Sequence, residues 1–471
     1  MSCTPIRLTA LALGLPVGLL AQEPRRSTAE QREAVSITVY NQNFGLVREV
    51  RTVDLARGRT PLEFQDVAGQ IEPYTVIIRA PGTGSFRVLE QNYQYDLLNP
   101  EQLLNKYVGR RVKVYRWNSV TGRDEPFDAE VLSAQGPVLR IGSEITYGFP
   151  GRLSFPEIPE NLISRPTLTW LLESDGGRRR LEVSYLTKGM NWRADYVMVV
   201  NAADTQGDLT GWVTLDNQSG TGYRNAQLKL VAGDVQRIRE EDRPVNLEGI
   251  VVGVSGAAAP LMTEEGLFEY HLYTLERPTT VLNNEQKQVT MLEGSGIGLK
   301  KRLILPGQLW WYRSQTGEVA SNQKVGVFME FANSEANKLG MPLPKGIVRV
   351  YKADQSGAQQ FIGEDQIDHT PRDEMVRIKM GEAFDVLADR RQMVWRALGG
   401  CQSESGWEID LRNHKDTADE VDVMEPVGGD WTIEESSHGW ERMDAATFRF
   451  RVSVPARGAT KITYRVRVRW C

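Results

Sequence analysis

Near its C-terminal end the chain alternates strictly between apolar and polar residues. Phe448, Phe450, Val452 and Val454 are separated by Arg449, Arg451 and Ser453. After a turn at 455–459, Ile462, Tyr464, Val466, Val468 and Trp470 alternate with Thr463, Arg465, Arg467 and Arg469. A period of two puts the apolar side chains on one face of a pleated ribbon and the arginines on the other. No helix sorts such a sequence into two faces, so the segment reads as a half-buried β-hairpin. The same texture recurs along most of the 471 residues, punctuated by 43 glycines suited to tight turns. The expected fold class is all-β: several β-sandwich or immunoglobulin-like modules plus a small SH3-like barrel, with very little helix.

A chain of this length exceeds one hydrophobic core and divides by composition. Residues 22–34 are polar and read as a flexible leader, followed by a small β domain over 35–98. Asn99, Pro100 and Glu101 start a short helix, with a capping side chain and a proline in the first turn. Five short strand candidates follow, separated by Gly122, Gly136, Gly142 and Gly151, which makes 99–156 the SH3-like barrel. Pro156, Pro159 and Pro166 mark a linker. Longer strands over 165–395 fit a β-sandwich region. A charged run from Arg239 to Arg243 and then small residues interrupt it, so 238–266 reads as a mobile insertion. Trp310 and Trp311 fall in a strand of this region, so one of them must face away from the core. Residues 400–471 read as an immunoglobulin-like domain of five strands.

Arg7 is the only charge in the first 21 residues, and an apolar run from Leu8 to Leu20 precedes Ala21. This is the pattern of a signal peptide cleaved near Ala21, which places the mature chain in the periplasm or outside the cell. The run falls short of the about 20 apolar residues that span a bilayer. Retention as an N-terminal anchor is the competing reading, and no later segment suits a transmembrane helix. A net charge of −5 gives no electrostatic reason to expect nucleic acid as a partner. Cys401 and Cys471 invite a disulfide in an oxidising compartment. Against it, five up-and-down strands would leave them on the order of 20 Å apart, whereas a bridge needs Cα atoms within about 7 Å. The residues 402–406 could fold back to close that gap, and the pairing stays open.

The chemistry-bearing residues are sparse. None of the four histidines has H-E-x-x-H spacing or neighbours a cysteine, so no metal is expected. Residues 253–256 lack the last glycine of a nucleophile elbow. Gly294, Gly296 and Gly298 lack the strand–loop–helix setting of a dinucleotide loop, so no cofactor is expected. Asp365 with Asp368, and Asp385 with Asp389, could in principle pair as glycosidase carboxylates. With 61 acidic residues such pairs arise by chance. The arginine stripe faces Glu408, Asp410, Glu420 and Asp422 and reads as a charge ladder within the sheet rather than a site for an acidic polymer.

Several segments resemble the bacterial family known as domain of unknown function 4139, also found in mucoidy-inhibitor-A-like proteins. They are Gly189-Met-Asn-Trp-Arg-Ala-Asp-Tyr196, Gly211-Trp-Val-Thr-Leu-Asp-Asn217 continuing to Asn225-Ala-Gln-Leu228, and Tyr270-His-Leu-Tyr-Thr274 with Asn284 and Lys287. Gly381-Glu-Ala-Phe-Asp385 and the stretch from Trp407 to Asn413 complete the set. The resemblance covers about residues 165–471, without the helical coiled-coil arm of the mucoidy-inhibitor-like members. It implies a secreted all-β protein and brings no catalytic residues.

These observations lead to an exported, non-catalytic cell-envelope protein that binds a protein or glycan partner or acts as a scaffold. Tyr270, His271, Tyr273 and Lys287, beside the insertion, are the candidate contact residues. The alternative is a hydrolase of envelope polysaccharide or peptide, with a carboxylate such as Asp385 in a cleft.

Overall fold

Period-two alternation becomes strand almost wherever it occurs. The computed structural model describes residues 23–471 except 83, 95, 149–150, 160–161, 234 and 238–261. It is 67% strand and 5% helix, an all-β protein of several sheets. The signal segment with Ala21, the 253–256 glycines and most of the expected insertion lie outside the described residues. The insertion's last five residues belong to a strand, Met262–Leu267. No helix among the described residues is long and apolar enough to cross a membrane.

The described residues divide into two compact units. The first comprises residues up to 36, 46–188 and 219–221. One of its sheets has the order Arg25–Ser27, Gly58–Gln65, Thr167–Ser174, Phe86–Gln94. Leu62, Phe64, Leu168, Trp170 and Leu172 are its buried alternating positions. The expected leader is therefore structured: Arg25–Ser27 pairs in parallel with Leu62–Phe64. Its anchor is Arg51, fully buried, whose Nη1 donates to the carbonyls of Ser27 at 2.9 Å and Gln65 at 2.8 Å. The same guanidinium meets Glu49 at 2.9 Å and lies 3.6 Å over the Phe64 ring, replacing the water it has lost. Nothing in the local composition of 22–34 marks a strand whose partner lies this far along the chain.

The small barrel has the sheet order Glu144–Tyr147, Val138–Ile141, Arg123–Ser133, Arg111–Asn118, Arg152–Ser154. Its last strand returns beside its first, as an SH3-like barrel requires. The helix Pro100–Lys106 opens it, with the Asn99 side chain accepting from Gln102 N at 2.8 Å.

The second unit comprises residues 37–45, 189–218 and 222–471. Its five-stranded sheet runs Glu285–Gly298, Gln206–Asn217, Met190–Val200, Gly346–Ala353, Gln359–Ile367. Tyr223–Ala232, Tyr270–Leu275 and Met262–Leu267 form an antiparallel series packed against it through Trp192 and Tyr273. A nine-stranded sheet then combines Lys300–Pro306, Glu318–Ala332 and Met375–Gly399 with the six strands after residue 401. The expected boundary at 400 thus falls inside one sheet, and 400–471 is not a separate immunoglobulin-like domain. Trp310 and Trp311 lie in a 3-10 turn, Leu309–Tyr312, rather than a strand; Trp310 is exposed and Trp311 buried.

The nine-stranded sheet curls so that Phe448 and Phe450 meet Tyr464 at 5.6 and 5.2 Å between ring centroids. Inside it, Arg390 and Glu425 form an ion pair with neither side chain exposed. Tyr312 donates to Glu425 at 2.5 Å and lies 2.8 Å from the Tyr464 hydroxyl, while Arg390 sits 4.6 Å over the Trp311 ring. The arginine stripe meets its expected partners only at Arg449 and Arg451; Arg465 and Arg467 pair with Glu404 and Glu434 instead. Arg451 reaches Asp422 at 3.1 Å and Arg467 reaches Glu434 at 3.3 Å.

Cys401 and Cys471 form a disulfide, with Cα atoms 5.8 Å apart. The objection to it came from counting five strands. A sixth, Trp440–Asp444, is fully exposed and weakly alternating, and it reverses the direction in which the chain finishes. Gln402 consequently pairs with Arg469, and Trp470 N donates to Cys401 O at 3.0 Å.

Candidate functional site

A cleft of about 470 Å³ opens where Met190–Val200 and Gly346–Ala353 begin, side by side and parallel. Ala194 pairs with Gly346 there. A Cβ at 346 would lie 2.4 Å from the Ala194 carbonyl oxygen and 2.8 Å from Tyr196 Cε2, so only glycine admits the approach. Two buried tyrosines fix the chain leading into it. Tyr196 donates to Pro344 O at 2.7 Å and Tyr273 to Pro342 O at 2.9 Å. Burial pushes both phenols well above their ordinary pKa, so they remain neutral donors.

Lys345 follows, and its backbone N–H donates to His369 Nδ1 at 3.2 Å. A neutral His369 ring then carries its proton on Nε2. Gln366, Asp368 and His369 come from the end of the neighbouring strand, where Ile367 pairs with Gly346. Asn191, Trp192, Arg193 and Ala194 supply another wall, and Asn41 reaches it from the turn between Arg32–Tyr40 and Phe44–Leu55.

The side chains fall into three chemical groups. The Asn41 and Asn191 amide oxygens are buried and have no donor among the described residues. Leaving such an acceptor unsatisfied costs about 1–3 kcal/mol. Arg193 is held rigidly, its Nε 3.3 Å from Asp195 and its Nη1 3.3 Å from Asp216. Asp195 is itself engaged by Thr214 Oγ1 at 2.8 Å and Arg349 at 3.1 Å, so the guanidinium is largely compensated. Lys345 Nζ lies 3.9 Å from Asp368, and both are exposed. Trp192 lies beneath with its indole N–H on Val231 O at 3.1 Å; at 3% exposure it offers no stacking face.

This set suits hydrogen bonding and is poor in reactive groups. Among the described lining residues Asp368 is the only carboxylate, and there is no serine, threonine or cysteine. A carboxylate pair about 5–10 Å apart or an activated nucleophile cannot be assembled from it. No group of three or more histidine, cysteine or acidic side chains among the described residues is arranged to hold a metal.

The contact residues singled out from sequence lie elsewhere, on two different sheets, and of the proposed carboxylates Asp368 alone lines the cleft. Tyr273 is a core residue that steadies the 342–344 segment and touches Trp192, at 6.4 Å between centroids. His271 Nδ1 lies 2.7 Å from Glu264, and the Tyr270 ring covers Gly233. Lys287 pairs with Glu285 at 3.5 Å on another sheet. The proposed carboxylates are occupied or apart. Asp365 accepts backbone N–H groups of Gln366 and Lys379, and Asp389 binds Arg412 and the N–H of Asn322. Asp385 does not line the cleft.

Asn41, Lys345 and Gln366 carried no sequence signal beyond a turn or a strand end. Asn191 and Arg193 did, since they belong to the Gly189–Tyr196 segment that bears the family resemblance. No family model matches the chain, and no curated protein matches it.

Proposed function

We propose that this is an exported, non-catalytic protein of the bacterial cell envelope that binds a glycan in the cleft bounded by Asn41, Asn191 and Gln366. The observation that carries the reading is the pair of buried asparagine oxygens without a donor among the described residues. Sugar hydroxyls supply such donors, and the N–H groups of Arg193 and Lys345 can bond the sugar's own oxygens. Among the described lining residues there is no nucleophilic hydroxyl or thiol and no second carboxylate, which favours binding over hydrolysis. Export is supported by the residues up to Ala21 and by the Cys401–Cys471 disulfide, a bond that persists in oxidising compartments. The resemblance to the family of unknown function is part of the same proposal.

An array of bacterial-envelope oligosaccharides tests it. The protein is expected to retain a chemically related subset, unshortened, and Asn191→Ala is expected to weaken retention about tenfold, the equivalent of one hydrogen bond. Retention of nothing, or release of shortened sugars, would refute the reading. N-terminal sequencing of the mature protein is expected to begin at Gln22.

A further inference from the structure

The hairpin formed by Met262–Leu267 and Tyr270–Leu275 turns in two residues, Phe268 and Glu269, closed by the pair Leu267 and Tyr270. Two-residue hairpin turns place a residue with positive φ first, a position held by Gly, Asn or Asp. Here it is Phe268, with φ of 59° and 82% of its surface exposed. A bulky aromatic in the left-handed region is strained, and exposing it gains nothing for the core. Strain of this kind marks residues held for a purpose other than folding.

The shaft below the tip is braced. The Tyr270 ring lies on Gly233, where a Cβ would come within 2.6 Å of Tyr270 Cδ1. His271 bridges to Glu264 at 2.7 Å, and Tyr273 is tied to Pro342 O. At the base Met262 pairs with Leu275 and both are buried. The tip is thus preorganised, with its Phe268 ring 6.2 Å from that of Tyr270. Glu269 beside the ring and Glu265 farther down give the hairpin a negative rim, Glu264 being paired with His271.

We infer that Phe268 is the anchor by which this hairpin docks into an apolar socket on a second protein, one whose socket is rimmed by lysine or arginine. A rigid aromatic on a preordered hairpin is the type of residue that dominates interface energy. The negative rim selects a basic protein surface over an anionic bilayer and fixes orientation. Phe268 is not among the residues that line the glycan cleft, so the two contacts are tested separately.

Phe268→Gly in the full chain separates docking from folding, because glycine accepts positive φ without strain. The melting temperature is expected to stay or rise. A photo-crosslinking phenylalanine analogue at 268, in cells of the source bacterium, is expected to give one discrete adduct. The linked peptide is expected to map to an apolar pocket flanked by basic residues. The same analogue at Phe384, which is 85% exposed, is expected to give none. Excess unlabelled protein is expected to suppress the adduct at least tenfold better than the Phe268→Gly protein. A lower melting temperature for Phe268→Gly would make the ring a folding element and overturn the proposal. So would a diffuse pattern shared with position 384, an adduct to a second copy of this chain, or Phe268-dependent sedimentation with phosphatidylcholine–phosphatidylglycerol vesicles.

Discussion

Gly346 shows how one residue sets the geometry of the cleft. Its missing Cβ lets two parallel strands close over Ala194 and Tyr196. Gly346→Ala forces a backbone shift, and a loss of about 1–3 kcal/mol is expected from urea unfolding. Arg390 and Glu425 are the opposite case, a buried pair whose partners need each other. Arg390→Leu strands the carboxylate and is expected to cost about 3–5 kcal/mol, whereas replacing both with leucine is expected to cost less than the single change. Asp389 gives a pH signature. The hydrogen bond from Arg412 holds its pKa below the ordinary value. A carboxylate depressed in the folded state stabilises above its unfolded pKa of about 3.9 and loses that effect as pH falls through the folded value. Asp389→Asn is therefore expected to flatten the loss of stability below about pH 4, as read by thermal unfolding. None of these three roles was legible in the sequence. Each depends on a neighbour distant along the chain: Ala194 for Gly346, Glu425 for Arg390, Arg412 for Asp389.

Elements were far more legible than partners. Strands with clean alternation, such as Thr447–Val454 and Gly458–Arg469, bury the residues that a period of two assigns inward. Trp440–Asp444 escaped because every residue in it is exposed, so burial imposed no alternation. That one strand brings Cys471 back beside Cys401. Removing the disulfide by a double serine substitution is expected to lower stability by about 4 kcal/mol. That value follows from the chain-entropy model for a separation of 70 residues. Peptide mapping without reductant is expected to recover the two cysteines linked. Arg25–Ser27 escaped for a different reason: its stabilising contact is a guanidinium from Arg51 on another strand. The 342–344 segment depends on the same kind of remote tie. Tyr273→Phe removes the bond to Pro342 O and is expected to weaken glycan retention severalfold while costing only about 0.5–1.5 kcal/mol of stability.

At the scale of the whole molecule, the sheets act as a frame that brings short polar segments together. Residues 41, 191–194, 344–347 and 366–369 are far apart in sequence and share one cleft because parallel pairing aligns Ala194 with Gly346. Register, which sequence patterns only imply, does the assembling. The all-β architecture follows from alternation, but a binding cleft made of strand ends and turns has no periodic signature to reveal it. The most direct measurement is a crystal structure of the protein with the oligosaccharide it retains best. Sugar hydroxyls within about 3.2 Å of both Asn41 Oδ1 and Asn191 Oδ1 would confirm that the cleft is a glycan site. An oligosaccharide bound away from these two oxygens, or one cleaved in the crystal, would contradict it.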